Sequence, residues 1–283
     1  MLPSTFVDAH AHFWQVSTHD WYPMLRAARP ALYRDYLLPD YLADAGAAGV
    51  HVTGLVHVSA TTAAGAFLHE TRWLNQLHRD TGRPSAIIGA IDPQAPFRTI
   101  AQQTLAQAAG SAFRGVRVFA GLDPVETTSA ELLRLLGEHN LVFDQIIRPA
   151  EVTAYLPLIE KAHDTAIVLE HAGLPEGTEP EPFRQWRDGI AKLAALPNVD
   201  CKISGLGAAL GSTTPEVLRP FVETCLELFG IDRCFFGSNF PVDGIAGSYT
   251  QLLASYQVIT APLSDQDRRN LFSVNATRRY RLG

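Results

Sequence analysis

The densest chemistry in the chain lies near its start, where Asp8-Ala9-His10-Ala11-His12 sets two histidines at i and i+2. On a strand such a pair points to one face, so both imidazoles can reach one ion or one substrate. Other ionisable or polar residues recur where short apolar runs end. They are His57, Asp92, Arg117, Asp144, Glu170-His171, Lys202 with Ser204, and Ser238-Asn239 with Asp243 four residues later. Arg117 stands alone in an apolar run, and a buried arginine needs a carboxylate, supplied either by Asp144 or by a substrate. Lys202 follows the same logic. His57 reads as a satisfied core histidine before it reads as a substrate contact. Trp14 and Trp21 are candidates for an apolar wall beside a ring substrate, or for packing within their own loop. Cys201 and Cys234 fall inside apolar runs and read as inert core residues.

These residues need a frame, and the hydrophobic pattern supplies one. Short, nearly continuous apolar runs predict strands over 5–9, 51–58, 85–91, 113–119, 141–147, 166–171, 199–204 and 234–238, as for parallel strands covered on both faces. Helical periodicity falls between them over 39–48, 62–81, 97–109, 129–139, 151–163, 181–196 and 215–229, then over 248–259 and 265–280. Thr128-Ser129-Ala130-Glu131 and Thr213-Thr214-Pro215-Glu216 carry the chemistry of helix starts. Eight strands alternating with helices predict an α/β fold, a single (β/α)8 TIM-type barrel with an extra C-terminal helix, over 1–283 as one domain. Catalytic residues of such barrels sit at the carboxyl ends of the strands, where the polar set above collects. An open doubly wound sheet fits less well, since no GxGxxG follows the first strand. The longest loop, 15–39, is rich in aromatics.

Composition narrows the class. The 283 residues are 47% hydrophobic and 18% charged, which excludes a disordered chain. A net charge of −6 without a basic run argues against a nucleic-acid partner. No apolar stretch approaches the roughly 18 residues of a membrane span, and the first residues lack the pattern of a signal peptide. Three cysteines without CxxC spacing give neither a disulfide framework nor a zinc knuckle. The expectation is a soluble, cytoplasmic protein whose partner is a small-molecule substrate. The sequence leaves room for a homo-oligomer.

Five ordered motifs carry a resemblance across the chain. Val7-Asp8-Ala9-His10-Ala11-His12-Phe13-Trp14 resembles an opening D-x-H-x-H-F-W, and Phe113-Arg114-Gly115-Val116-Arg117 resembles a strand-four G-[IV]-R. Leu169-Glu170-His171-Ala172-Gly173-Leu174-Pro175 is similar to D-H-x-G-K-P, and Cys201-Lys202-Ile203-Ser204-Gly205-Leu206 to C-K-[LI]-S-G-L. Phe236-Gly237-Ser238-Asn239-Phe240-Pro241 resembles F-G-S-D-W-P. Together they resemble the amidohydrolase superfamily, in its amidohydrolase-2 branch. The likeness is greatest to the sugar-acid lactonase group, which includes L-fucono- and L-rhamnono-lactonases and pyrone-dicarboxylate lactonase.

The resemblance implies a hydrolase that opens a lactone of a small sugar acid or carboxylated compound by water attack on the carbonyl. His10, His12 and His171 would polarise that carbonyl, and Arg117 and Lys202 would hold anionic oxygen. Two departures bear on this. The family's strand-eight aspartate, the usual base, is Asn239, which offers hydrogen bonds but no proton-accepting carboxylate. Asp243 is then the nearest carboxylate, either a migrated base or a loop cap. The strand-five position reads Phe143-Asp144, without the Lys or His of a binuclear centre. At most one divalent metal, zinc by its chemistry, would be held by His10, His12 and His171, and a metal-free route stands beside it. Two other readings remain, a metal-dependent decarboxylase of a small unsaturated or aromatic acid and a non-catalytic barrel that binds a small acid.

Overall fold

The computed structural model describes residues 5–283. Eight parallel strands follow one another around a nearly closed barrel in sequence order. They are β1 (Thr5–Ala11), β2 (His51–Val58), β3 (Ala86–Ala90), β4 (Phe113–Val118), β5 (Val142–Gln145), β6 (Ile167–Leu169), β7 (Val199–Ile203) and β8 (Cys234–Phe236). The seam between β8 and β1 closes just beyond the end of β8. There Asn239 N donates to His10 O at 2.7 Å and His12 N donates to Phe240 O at 2.9 Å. Closing the barrel therefore brings Asn239 to the two histidines.

Helices cover the strands much as periodicity predicts, for example Phe67–Thr81, Phe97–Ala108 and Pro215–Phe229. A large apolar cluster including Leu132, Ile190, Phe221 and Leu252 fills the layer between helices and barrel. A smaller one with Val7, Val56, Val168 and Phe235 fills the barrel's amino end, where the C-terminal segment inserts Ala276 and Tyr280. Expected helical from 265 to 280, that segment is helical throughout, with a π-turn over Asn270–Val274.

Local details differ from expectation where a backbone group finds another partner. Ser129 does not start its helix. The helix begins at Thr127, and the Ser129 hydroxyl donates to Asp123 O at 2.6 Å. Thr214 occupies the cap position before Pro215, but its side chain makes no capping hydrogen bond and instead accepts from Ser212 Oγ at 3.3 Å. The capping box forms instead at Ser248 and Gln251. β6 ends at Leu169 rather than His171 because His171 and Ala172 turn to φ 54° and 51°. The 15–39 loop contains a short helix, Pro23–Ala28, and another, Leu206–Leu210, follows β7. Both are too short for periodicity to reveal. No helix among the described residues is long and apolar enough to cross a membrane.

Candidate active site

The site begins with Asp8, a buried carboxylate that acts as a staple. It accepts hydrogen bonds from Tyr41 Oη (2.8 Å), Tyr249 Oη (3.2 Å), Ser238 N (2.8 Å) and His10 N (3.2 Å). These contacts tie the end of β8 to β1 and fix the backbone that carries His10. His12 Nδ1 lies 2.8 Å from Val58 O, and only a protonated Nδ1 can bond a carbonyl, so Nε2 carries the lone pair. That Nε2 faces His10 Nε2 at 3.2 Å and Asn239 Oδ1 at 3.1 Å.

Asn239 adopts φ 55°, a left-handed conformation that asparagine tolerates. Its amide is oriented from behind, since Nδ2 donates to Asp243 Oδ1 at 2.8 Å and turns Oδ1 toward His12. Asp243 also accepts from Gly207 N (3.1 Å) and Ala208 N (3.2 Å). Burial raises its pKa to about 6 against these three donors. Of the two sequence readings, the geometry matches a cap: every contact of Asp243 faces the protein, and it does not line the cavity.

His171 lies against the His10 ring, with centroids 4.6 Å apart, and its Nδ1 is 2.9 Å from Ser204 Oγ. Gly205 leaves room for that ring; a Cβ there would stand 2.3 Å from His171 Nδ1, at φ +65°. Gly205→Ala is accordingly expected to lower turnover by about tenfold to a hundredfold through displacement of His171. Gly46→Ala, with nothing within 4 Å of the new carbon, serves as the control. Steady-state kinetics of the two variants check this, and equal rates would show that the His171 position is unimportant.

Beneath the histidines four buried charges balance. Glu170 Oε2 lies 2.9 Å from Arg117 Nε, and Arg117 Nη1 donates to Ser59 O at 3.0 Å. Lys202 Nζ contacts Asp144 Oδ2 (2.5 Å), Glu170 Oε1 (3.5 Å) and Tyr280 Oη (3.2 Å). Burial, and then the Lys202 charge, hold His10 well below the ordinary imidazole range. Burial and then Arg117 do the same for His171. His12 is lowered to about 3, chiefly by burial and then by Arg117. All three imidazoles are therefore neutral, the form that coordinates metal.

A cavity of about 400 Å³ opens over this cluster, floored by His12, Arg117, His171 and Asn239, with Trp14 among its walls. Other residues singled out from the sequence lie elsewhere. Lys202, expected to hold substrate oxygen, is fully buried on Asp144 and does not reach the cavity. Trp21 stacks on His19 with centroids 3.8 Å apart, beside Trp73, and does not line the cavity. His57 is a core histidine bonded to Phe13 O through Nε2 at 3.3 Å. Arg117 is paired, but with Glu170, because Lys202 occupies Asp144. Sequence reasoning missed Arg29 and Arg148, which line the cavity from irregular segments where no periodicity marks them. It also left Glu170 without a role.

The donor set fits a divalent ion. Among the described residues His10, Glu170 and His171 each bring a ligand atom within 4.8 Å of the others. His10 Nδ1 is buried without a hydrogen-bond partner. On the other side of His10, the Nε2 atoms and Asn239 Oδ1 stand 3.2 and 3.1 Å apart, near the ~3.3 Å edge of a tetrahedral zinc shell.

A model of the amidohydrolase family matches residues 7–282. The protein y4mH of Sinorhizobium fredii is 32% identical over the whole of both chains. An L-fucono-1,5-lactonase of Burkholderia ambifaria is 30% identical over 98% of this chain and 95% of its own. A crystal structure of an amidohydrolase from Burkholderia multivorans with bound zinc superposes with a TM-score of 0.82 at 27% identity, covering 99% of this chain and 100% of that one.

Proposed function

We propose, because the chain belongs to the amidohydrolase family, that it is a hydrolase of ester bonds that opens the ring of a small lactone. The observation that carries this reading is the cavity floor, where His12, His171, Asn239 and Arg117 face one space. Full-length likeness to proteins named L-fucono-1,5-lactonase supports it.

Water adds to the lactone carbonyl carbon, the ring C–O bond breaks, and the product is a hydroxy acid that releases one proton at neutral pH. Asn239 Oδ1, held toward the cavity side of His12, accepts a hydrogen bond from the attacking water and orients it. His171, neutral and fixed through Ser204, takes the proton the water sheds and returns it to the departing ring oxygen. Arg117, held by Glu170 and Ser59 O, presents positive charge where the carbonyl oxygen becomes anionic. A divalent ion, when bound, would be held by His10, His12 and Asn239 Oδ1 and would supply Lewis acidity at the carbonyl. The relative solved with bound zinc supports a divalent ion as the kind of group held. This ligand set moves the third ligand from the expected His171 to Asn239, because Glu170, on the His171 side, is already engaged by Arg117 and Lys202.

Asp243 in this reading is a positioning residue. Asp243→Asn is expected to lower kcat about tenfold with little change in KM, because one of the two acceptor oxygens that meet three N–H donors becomes a donor itself and the Asn239 amide loses its fixed orientation. Asn239→Asp with Asp243→Asn restores a complementary pair and should recover part of the loss. Wild-type kcat in the single variant would remove Asp243 from the mechanism. The direct test of the chemistry is turnover of a lactone substrate in ¹⁸O-water. One label per turnover in the new carboxylate is expected, and release of carbon dioxide would favour the decarboxylase reading instead.

A further inference from the structure

The two cations expected to hold substrate oxygen are both neutralised inside the protein, Arg117 by Glu170 and Lys202 by Asp144. Two other arginines line the cavity, Arg29 and Arg148, both exposed. Neither makes an ion pair among the described residues, in contrast to Arg184, Arg187 and Arg219 on the outer surface. Among the described residues Glu176 is the one acid lining the cavity, which leaves its upper part net positive.

The walls between floor and rim are apolar, formed by Trp14, Leu25, Phe119, Ile146, Leu174 and Val242. Apart from the floor and the charged rim, the lining offers one hydroxyl side chain, Thr61, and no Ser, Gln, Asp or Tyr. A polyhydroxylated sugar ring needs a partner for each hydroxyl it buries, and each one left unmet costs the full desolvation of that group. The walls do not provide those partners.

We infer that the substrate is a lactone with a largely apolar ring or side chain and a carboxylate directed to Arg29 and Arg148. This rests on the lactonase reading and sets a substrate class for it, distinct from a neutral sugar lactone. Guanidinium groups suit the role because they bind carboxylates in a planar, two-pronged geometry. Hydrolysis of such a compound yields a hydroxy dicarboxylate: water's oxygen bonds to the carbonyl carbon, the ring oxygen leaves with a proton, and the second carboxyl ionises. A reaction that forms or closes carboxylated lactones would supply this substrate.

The test compares three probes on the wild-type protein and on the Arg29→Gln/Arg148→Gln double variant. They are 5-oxotetrahydrofuran-2-carboxylate, its carboxamide, and an aldono-1,5-lactone. For the wild-type protein, kcat/KM for the carboxylate is expected to exceed that for both neutral probes by tenfold or more. The double variant should raise KM for the carboxylate and bring that ratio to within about twofold. A preference for the aldonolactone, or a ratio untouched by the substitutions, overturns the inference. If no lactone is turned over, the lactonase reading fails by itself, and calorimetric titration with 2-hydroxyglutarate and its diamide decides the ligand class. Binding that needs the carboxylates and is lost in the double variant upholds the anion site; absence of binding ends it. Both arginines are exposed, so an unchanged melting temperature is expected and shows that the fold is not the cause.

Discussion

Replacing His12 with alanine is expected to lower kcat for lactone hydrolysis by at least about a hundredfold. His12 is the point where the seam of the barrel, the cavity and the neighbouring donors meet. Its Nδ1–H is committed to Val58 O at 2.8 Å, and its Nε2 faces His10 and Asn239 at 3.2 and 3.1 Å. The substitution removes the lone pair at that junction while leaving Asp8 to hold the backbone. It also leaves Val58 O without its partner, which costs about 1–3 kcal/mol and appears separately as a lower melting temperature. Mass spectrometry of metal content should show the variant unable to retain an ion that the wild-type protein retains. Turnover within about threefold of wild type would remove His12 from the chemistry.

Glu170→Gln is expected to have the largest effect on stability. Arg117 and Lys202 both contact this carboxylate, and Asp144 is the second negative charge of the group. Removing one negative charge leaves a net positive charge in a cluster that is almost wholly buried. Breaking a buried pair in this way costs about 3–5 kcal/mol, a fall in melting temperature on the order of 10 °C. The double change Glu170→Met with Arg117→Met keeps the charges balanced as Lys202 with Asp144, and should recover much of the stability. It should not recover activity, because the cation on the cavity floor is gone. Equal melting temperatures for Glu170→Gln and the wild-type protein, measured by calorimetry, would contradict the charge-balance account.

The fold was legible because parallel strands buried on both faces read as unbroken apolar runs. Ala86–Ala90, Ile167–Leu169 and Cys234–Phe236 are strands for that reason. His10 and His12 were legible because their two-residue spacing straddles the end of β1, and Asn239 because it follows β8 at the seam. Partners of the buried charges were not legible. Arg117 stands beside Asp144 in register, yet its ion pair is with Glu170, because Lys202 reaches across from β7 to Asp144. One strand's pattern carries no information about which of several inward charges will meet. The role of Asp243 was likewise hidden, since it depends on two backbone N–H groups of a five-residue helix that no periodicity announces. Trp21 looked like a wall of the site by type and position, but its ring is taken up by His19 and Trp73.

The central claim is that the floor of this cavity hydrolyses lactones, and acid release measures it most directly. The purified protein is incubated with a panel of neutral and carboxylated lactones in a weakly buffered pH-indicator solution, with and without a chelator. We expect acid production well above the spontaneous rate for at least one carboxylated lactone, suppressed by the chelator and restored by added zinc. Rates at the spontaneous level across the panel, with zinc present, would contradict it.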